Sequence, residues 1–200
     1  MANALFKPGQ AMQGLIKARH PARRALLRLG GVGVLYIAAA AILGFTGAVP
    51  TAPVYAGIAA DNYYFWQMIF ILPGILAAWL VSAASLRVLG RRESGPGFGA
   101  TAALAGVALG WPLLLAWIPS AVEAVFLALG MGQGEWVGIL SKPGPWQTAY
   151  LAVYAAAAAL ALRNFILAAR LLRKRSWLAA LLAGVIAAAV VIAAFVVFVR

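Results

Sequence analysis

From Leu29 to Val49 the chain carries no charged side chain, and stretches of this kind recur along almost its whole length. A helix needs roughly 20 mostly apolar residues to cross the hydrocarbon core of a bilayer. Five segments meet that need: residues 29–49, 63–86, 98–118, 146–167 and 177–199. Only the fourth contains a charge, Arg163 in its last turns. Irregular backbone cannot face lipid, and barrel strands would alternate and be about half as long. The expected fold class is therefore all-α. It is a polytopic transmembrane helical bundle of five spans (29–200) behind a basic segment (1–28), with short interfacial helices.

Composition excludes a water-soluble globule. Hydrophobic residues make up 65% of the 200, against roughly 45–50% in soluble domains, and mean hydropathy is +0.95. A soluble protein of this size would leave large apolar patches in water. The first span exceeds the roughly 7–15 apolar residues of a secretory signal, so an uncleaved first span is expected.

Charge sets the orientation. Sixteen Lys/Arg against four Asp/Glu give a net charge of +12. Five spans place fourteen of the sixteen cations on one side, which the positive-inside bias makes cytoplasmic. The N-terminus is then cytoplasmic and the C-terminus outside, in a cell membrane that the bacterial character of the chain makes an inner membrane. Nucleic acid is not an expected partner, because no soluble domain presents a groove.

Ala121–Leu140 is apolar enough to suggest a sixth span, but it holds Glu123, Glu135 and several glycines. Each central acid would cost roughly 2.5–3.5 kcal/mol, and a sixth span would reverse the Arg170–Arg175 cluster. The expected arrangement is a third span ended by Pro119, a short interfacial helix over Ser120–Met131, then a Gly-rich loop. Ahead of the first span, Met12, Leu15 and Ile16 beside Lys17 and Arg19 fit either an interfacial basic helix broken near Pro21 or an unstructured topogenic tail.

Sites of chemistry are scarce. There is no cysteine, so disulfides and thiolate sites are excluded. The single histidine, His20, has no partner for a triad or a metal. Gly130-x-Gly132-x-Gly134 and the Gly95–Gly99 run lack the Gly-Lys-Ser/Thr ending of a phosphate loop. No catalysis, cofactor or metal is expected. Gly106 and Gly110, four apart, suit close helix packing within the chain more than a dimer.

The polar residues near span ends are more informative. Asp61, Gln67 and Glu123 should share the outer side. Ordinary interfacial solvation accounts for them. The functional alternative is an outward-facing polar pocket ringed by Tyr63, Tyr64, Trp66 and Trp111, because acids near lipid tend to face a bundle interior. Pro73 and Pro112 should kink their spans. On the inner side, Arg87, Arg91 and Arg92, with Arg170, Arg173, Lys174 and Arg175, form a basic rim. Such a rim can hold anionic lipid headgroups at about 1 kcal/mol per cation.

Residues 60–115 carry one further pattern. Tyr63-Tyr64-Phe65-Trp66-Gln67, continuing to Pro73-Gly74, opens a long span that ends at Arg91-Arg92. Gly97-Phe98-Gly99-Ala100-Thr101-Ala102-Ala103-Leu104 and Trp111-Pro112-Leu113 follow. This resembles the bacterial branch of the Yip family, the Ypt-interacting-protein membrane domain. The resemblance implies five spans, a cytoplasmic N-terminus and a non-enzymatic role in organising membrane lipid or partner proteins, itself included. The Asp-Leu-Tyr-Gly-Pro stretch of eukaryotic members is missing, so their GTPase partners are not carried over. The alternatives are a small transporter, channel or lipid-translocating protein built around the polar pocket, or an accessory subunit of a larger membrane complex.

Overall fold

The computed structural model describes residues 7–50, 59–89, 97–173 and 177–198. Among them there is no strand. The elements are α1 (Pro8–Ile16), α2 (Pro21–Phe45), a 3-10 turn (Ala60–Asn62), α3 (Tyr63–Leu89), α4 (Phe98–Ala128), α5 (Gln133–Ser141), α6 (Pro145–Arg173) and α7 (Trp177–Phe198). Four helices are long and apolar enough to cross a membrane: Pro21–Phe45, Ala60–Leu89, Phe98–Ala128 and Pro145–Leu172. The fifth expected span, 177–199, overlaps α7, whose described apolar run, Trp177–Ala193, is shorter than the four others.

Two boundaries differ from expectation. The first helix begins at Pro21 rather than Leu29. Proline has its φ preset for the first helical position, and the Ala, Leu and Arg that follow are good helix formers, so the basic turn joins the span. Helix α4, the third expected span, does not stop at Pro119; it continues to Ala128 and replaces the separate helix expected over Ser120–Met131. A proline within a helix removes one N–H bond but need not end the run when good helix formers follow. A short helix lies instead at Gln133–Ser141, where a Gly-rich loop was expected.

Successive long helices run in alternating directions. Gly33 of α2 meets Leu72 and Ile75 of α3, while Gly44, a few turns on, meets Tyr64 and Phe65. The central element is α4, which packs on α2, α3 and α6; α7 packs on α3 and α6. The most apolar stretch of α4 is 61% buried within the protein, against 28–44% for the other three long helices. The short helix α1 tucks Met12 and Leu15 against α4 and α6, so its apolar stripe is met by protein.

Side chains bond backbone carbonyls across these contacts, and most of the acceptors lie on α4. The Tyr36 hydroxyl donates to Leu113 O (2.9 Å), the Trp79 indole N–H to Ala102 O (2.6 Å) and the Tyr150 hydroxyl to Pro119 O (2.7 Å). Trp117 returns an indole N–H to Leu35 O at 2.8 Å. Pro112 has no N–H for the carbonyl of Ala108, one turn earlier. The Asn164 Nδ2 donor stands 3.5 Å from that oxygen. Bonds of this kind average about 0.6 kcal/mol inside membrane proteins.

Close backbone approach explains particular glycines. A Cβ on Gly106 would lie 2.5 Å from the Cβ of Ala25. Gly106 therefore serves contact within the chain, as its spacing suggested, whereas a Cβ on Gly110 would meet nothing within 4 Å. Gly106→Ala should destabilise the protein by about 1–3 kcal/mol, the usual range for overpacking. Ala25→Gly should restore most of the loss. Thermal unfolding of the two single variants and the double variant checks this, and additive losses would contradict it.

Candidate functional site

Where α2 ends and α3 begins, side chains of four long helices line a cavity of about 280 Å³. Each helix lines it with one face. From α2 come Tyr36, Ala39, Ala40 and Leu43; from α6 come Gln147, Tyr150, Leu151 and Tyr154. Both sets follow the i, i+3, i+4, i+7 spacing that aligns side chains on one helical stripe. From α4 come Ala116, Ser120 and Glu123, again about one turn apart; α3 supplies Tyr63, Tyr64 and Gln67.

The walls are largely aromatic. Tyr63 and Tyr64 meet edge to face at 5.2 Å, and Tyr150 and Tyr154 at 6.0 Å. Gln67 Nε2 donates to the Tyr63 hydroxyl at 3.4 Å. Glu123 is partly buried, with its Oε1 shielded from solvent. No Lys, Arg or His is among the lining residues. One carboxylate stands among five tyrosines in a strongly cationic chain.

The outer rim is held by α5. Trp136 is 1% exposed and stacks on Phe126 at 5.3 Å, with Trp146 and Tyr150 each at 6.0 Å. Its indole nitrogen has no hydrogen-bond partner among the described residues. Gln133, at the start of α5, makes a two-point amide contact with Val49. Val49 N–H donates to Oε1 at 2.9 Å, and Nε2 donates to Val49 O. This contact ties the α2 exit to α5, whose Leu140 lines the cavity.

Of the pocket residues expected from sequence, Gln67, Glu123, Tyr63 and Tyr64 come together. Asp61 does not join them; it lies exposed in the 3-10 turn before α3. Trp66 points away from the cavity, 46% exposed and stacked on Phe70 at 5.8 Å. At 3.6 residues per turn Trp66 lies about 60° beyond Tyr63, on the side away from Gln67 and Tyr64, and so falls past the edge of the lining face. Trp111 lines a different feature, an open apolar groove between α2 and α4 beside Arg28. Tyr36, Tyr150, Tyr154, Ser120 and Gln147 were not placed in the pocket from sequence, although their helical spacing was readable.

On the basic rim, Arg87 and Arg170 are exposed, and the Arg170 guanidinium lies 4.7 Å from the centre of the Trp177 ring. The Arg173 backbone closes α6. Arg91, Arg92, Lys174 and Arg175 lie outside the described residues. No group of three or more His, Cys, Asp or Glu suited to a metal occurs among the described residues. In comparisons with protein-family models, curated proteins and solved structures, nothing matches the chain.

Proposed function

We propose that the protein is a non-enzymatic membrane protein of five crossings. Its N-terminus is cytoplasmic, its C-terminus and cavity face outward, and the cavity binds a small polar solute for recognition or passage. The observation that carries this reading is the cavity itself, a concave site with a few convergent polar groups on aromatic walls. Its size suits a solute about as large as nine waters, at about 30 Å³ each. The cation bias supports the orientation, and α7 is long enough, at about 33 Å, to be the fifth crossing. Helix α4 spans about 46 Å, so Glu123, in its outer turns, sits near the interface without a full insertion cost. A bacterial inner membrane fits the same orientation.

Trp136 and Trp146 neighbour the cavity and report on it. Titrating the full chain in nanodiscs with a panel of small solutes should give a saturable fluorescence change for at least one. Ala116→Phe, which fills the cavity from α4, should abolish it. No saturation with any solute, or unchanged saturation in the filled variant, would contradict the reading.

Lipid organisation, the role the Yip resemblance implies, is favoured by one separate observation. The groove between α2 and α4 has a cavity of about 570 Å³, is lined almost wholly by apolar residues and carries Arg28 near the cytoplasmic end of α2. That combination fits an acyl chain beneath an anionic headgroup. Arg28→Gln should lower the amount of anionic phospholipid that co-purifies; unchanged lipid content would count against this role.

A further inference from the structure

We propose that the solute taken by the outward cavity is a small organic cation, an ammonium with apolar substituents. The inference rests on the solute-binding reading above. Three features of the lining select charge. Glu123 is its only acid, and the lining holds no Lys, Arg or His. Tyr36, Tyr63, Tyr64, Tyr150 and Tyr154 supply aromatic rings around it, and the face of an aromatic ring attracts cations. Gln67, Gln147 and Ser120 can accept hydrogen bonds from an N–H donor.

Burial strengthens the selection. Tyr36 is 4% exposed, and Tyr63 and Tyr64, in the first turn of α3, are each 8% exposed, so these walls are shielded from water. Charge interactions there are weakly screened. An anion would meet Glu123 and the negative ring faces together. A neutral solute would gain no Coulomb attraction. A bare inorganic cation is strongly hydrated and demands a close shell of about six or more oxygens, whereas much of this wall is aromatic and aliphatic carbon. An ammonium bearing methyl groups sheds water at lower cost and covers the ring faces.

The test uses the full chain in nanodiscs and three probes of matched size: tetramethylammonium, tert-butanol and pivalate. Tetramethylammonium should saturate at least tenfold more tightly than the other two. Glu123→Gln should weaken it at least tenfold. Tyr154→Phe, which keeps the ring, should bind within about twofold of the parent, and Tyr154→Leu should lose most of the affinity. Unfolding midpoints identify any variant that fails to fold, and Glu123→Asp, which keeps the charge, then replaces Glu123→Gln with retained binding expected. If tert-butanol or pivalate binds as well, and Ala116→Phe abolishes it, the cation assignment falls and the solute-binding reading stands. Displacement of tetramethylammonium by sodium at equal concentration would also overturn the assignment. If no probe binds, both readings fall.

Discussion

Gly184→Leu should lower the stability of the protein by about 3 kcal/mol, the upper end of the overpacking range. Gly184 lies where α7 crosses α6. A Cβ there would stand 2.6 Å from the Cα, 2.7 Å from the backbone nitrogen and 2.7 Å from the Cγ1 of Ile166. Two of these three atoms are backbone, so no rotamer change relieves the contact; the helices must move apart. Helices in lipid gain no hydrophobic drive to associate, and close backbone packing is much of what holds them. Separation therefore removes contacts along both elements. Ile166→Ala should not rescue the variant, because the backbone atoms remain. Gly33→Ala is the instructive contrast. Its nearest neighbour, at 2.9 Å, is the Cδ1 of Leu72, the far end of a flexible side chain, so its loss should stay below about 1 kcal/mol. Gly134→Leu, where a Cβ meets nothing within 4 Å, serves as the neutral control. Thermal unfolding in one detergent ranks the variants. A Gly184→Leu protein that melts with the parent would refute the α6–α7 contact.

Trp136→Ala should cost about 3–5 kcal/mol, as truncation of a buried Trp or Phe generally does. The ring is the anchor by which α5 docks on α4 and α6, through Phe126, Trp146 and Tyr150. Without it, the Gln133–Val49 amide contact is the main remaining tie described for this short helix. The loss should be local as well as global: amide exchange should rise across Gln133–Ser141 before it rises in the long helices. The cavity should open, because Leu140 of α5 is part of its wall. Trp136→Phe should cost much less. The indole nitrogen makes no hydrogen bond among the described residues, so phenylalanine gives up ring area but no bond. Equal damage from the two substitutions would show that the N–H has a partner.

The helices were legible in the sequence because apolar length is a strong signal and lipid permits few alternatives. Uncharged runs such as 63–86 correspond closely to α3, Tyr63–Leu89. Boundaries were less legible where proline and charge pull against propensity. Arg23, Arg24 and Arg28 read as a tail, yet they ride on the first turns of α2, where long cationic side chains can reach water. Pro119 read as a stop, yet the run from Ala121 to Ala128 continues the helix.

The site was half legible. Glu123, Gln67, Tyr63 and Tyr64 drew notice because polar and aromatic residues at span ends are few. Tyr36 and Tyr154 escaped notice. Both lie in alanine-rich stretches, and only the packing of α2 and of α6 on α4 brings them together. Asn164 was missed for the same reason: its role depends on the carbonyl that Pro112 leaves open on another helix. Trp66 was wrongly grouped because closeness in sequence was taken for a shared face.

An accessibility experiment tests the threading and the outward cavity together. The chain has no cysteine of its own, so single substitutions report cleanly. Gly134→Cys marks α5 at the cavity rim, and Arg87→Cys marks the exposed end of α3; both positions are exposed. Applied to intact spheroplasts, a membrane-impermeant maleimide should label Gly134→Cys at once and Arg87→Cys only after permeabilisation. Labelling of both from outside, or of Arg87→Cys alone, would contradict the account.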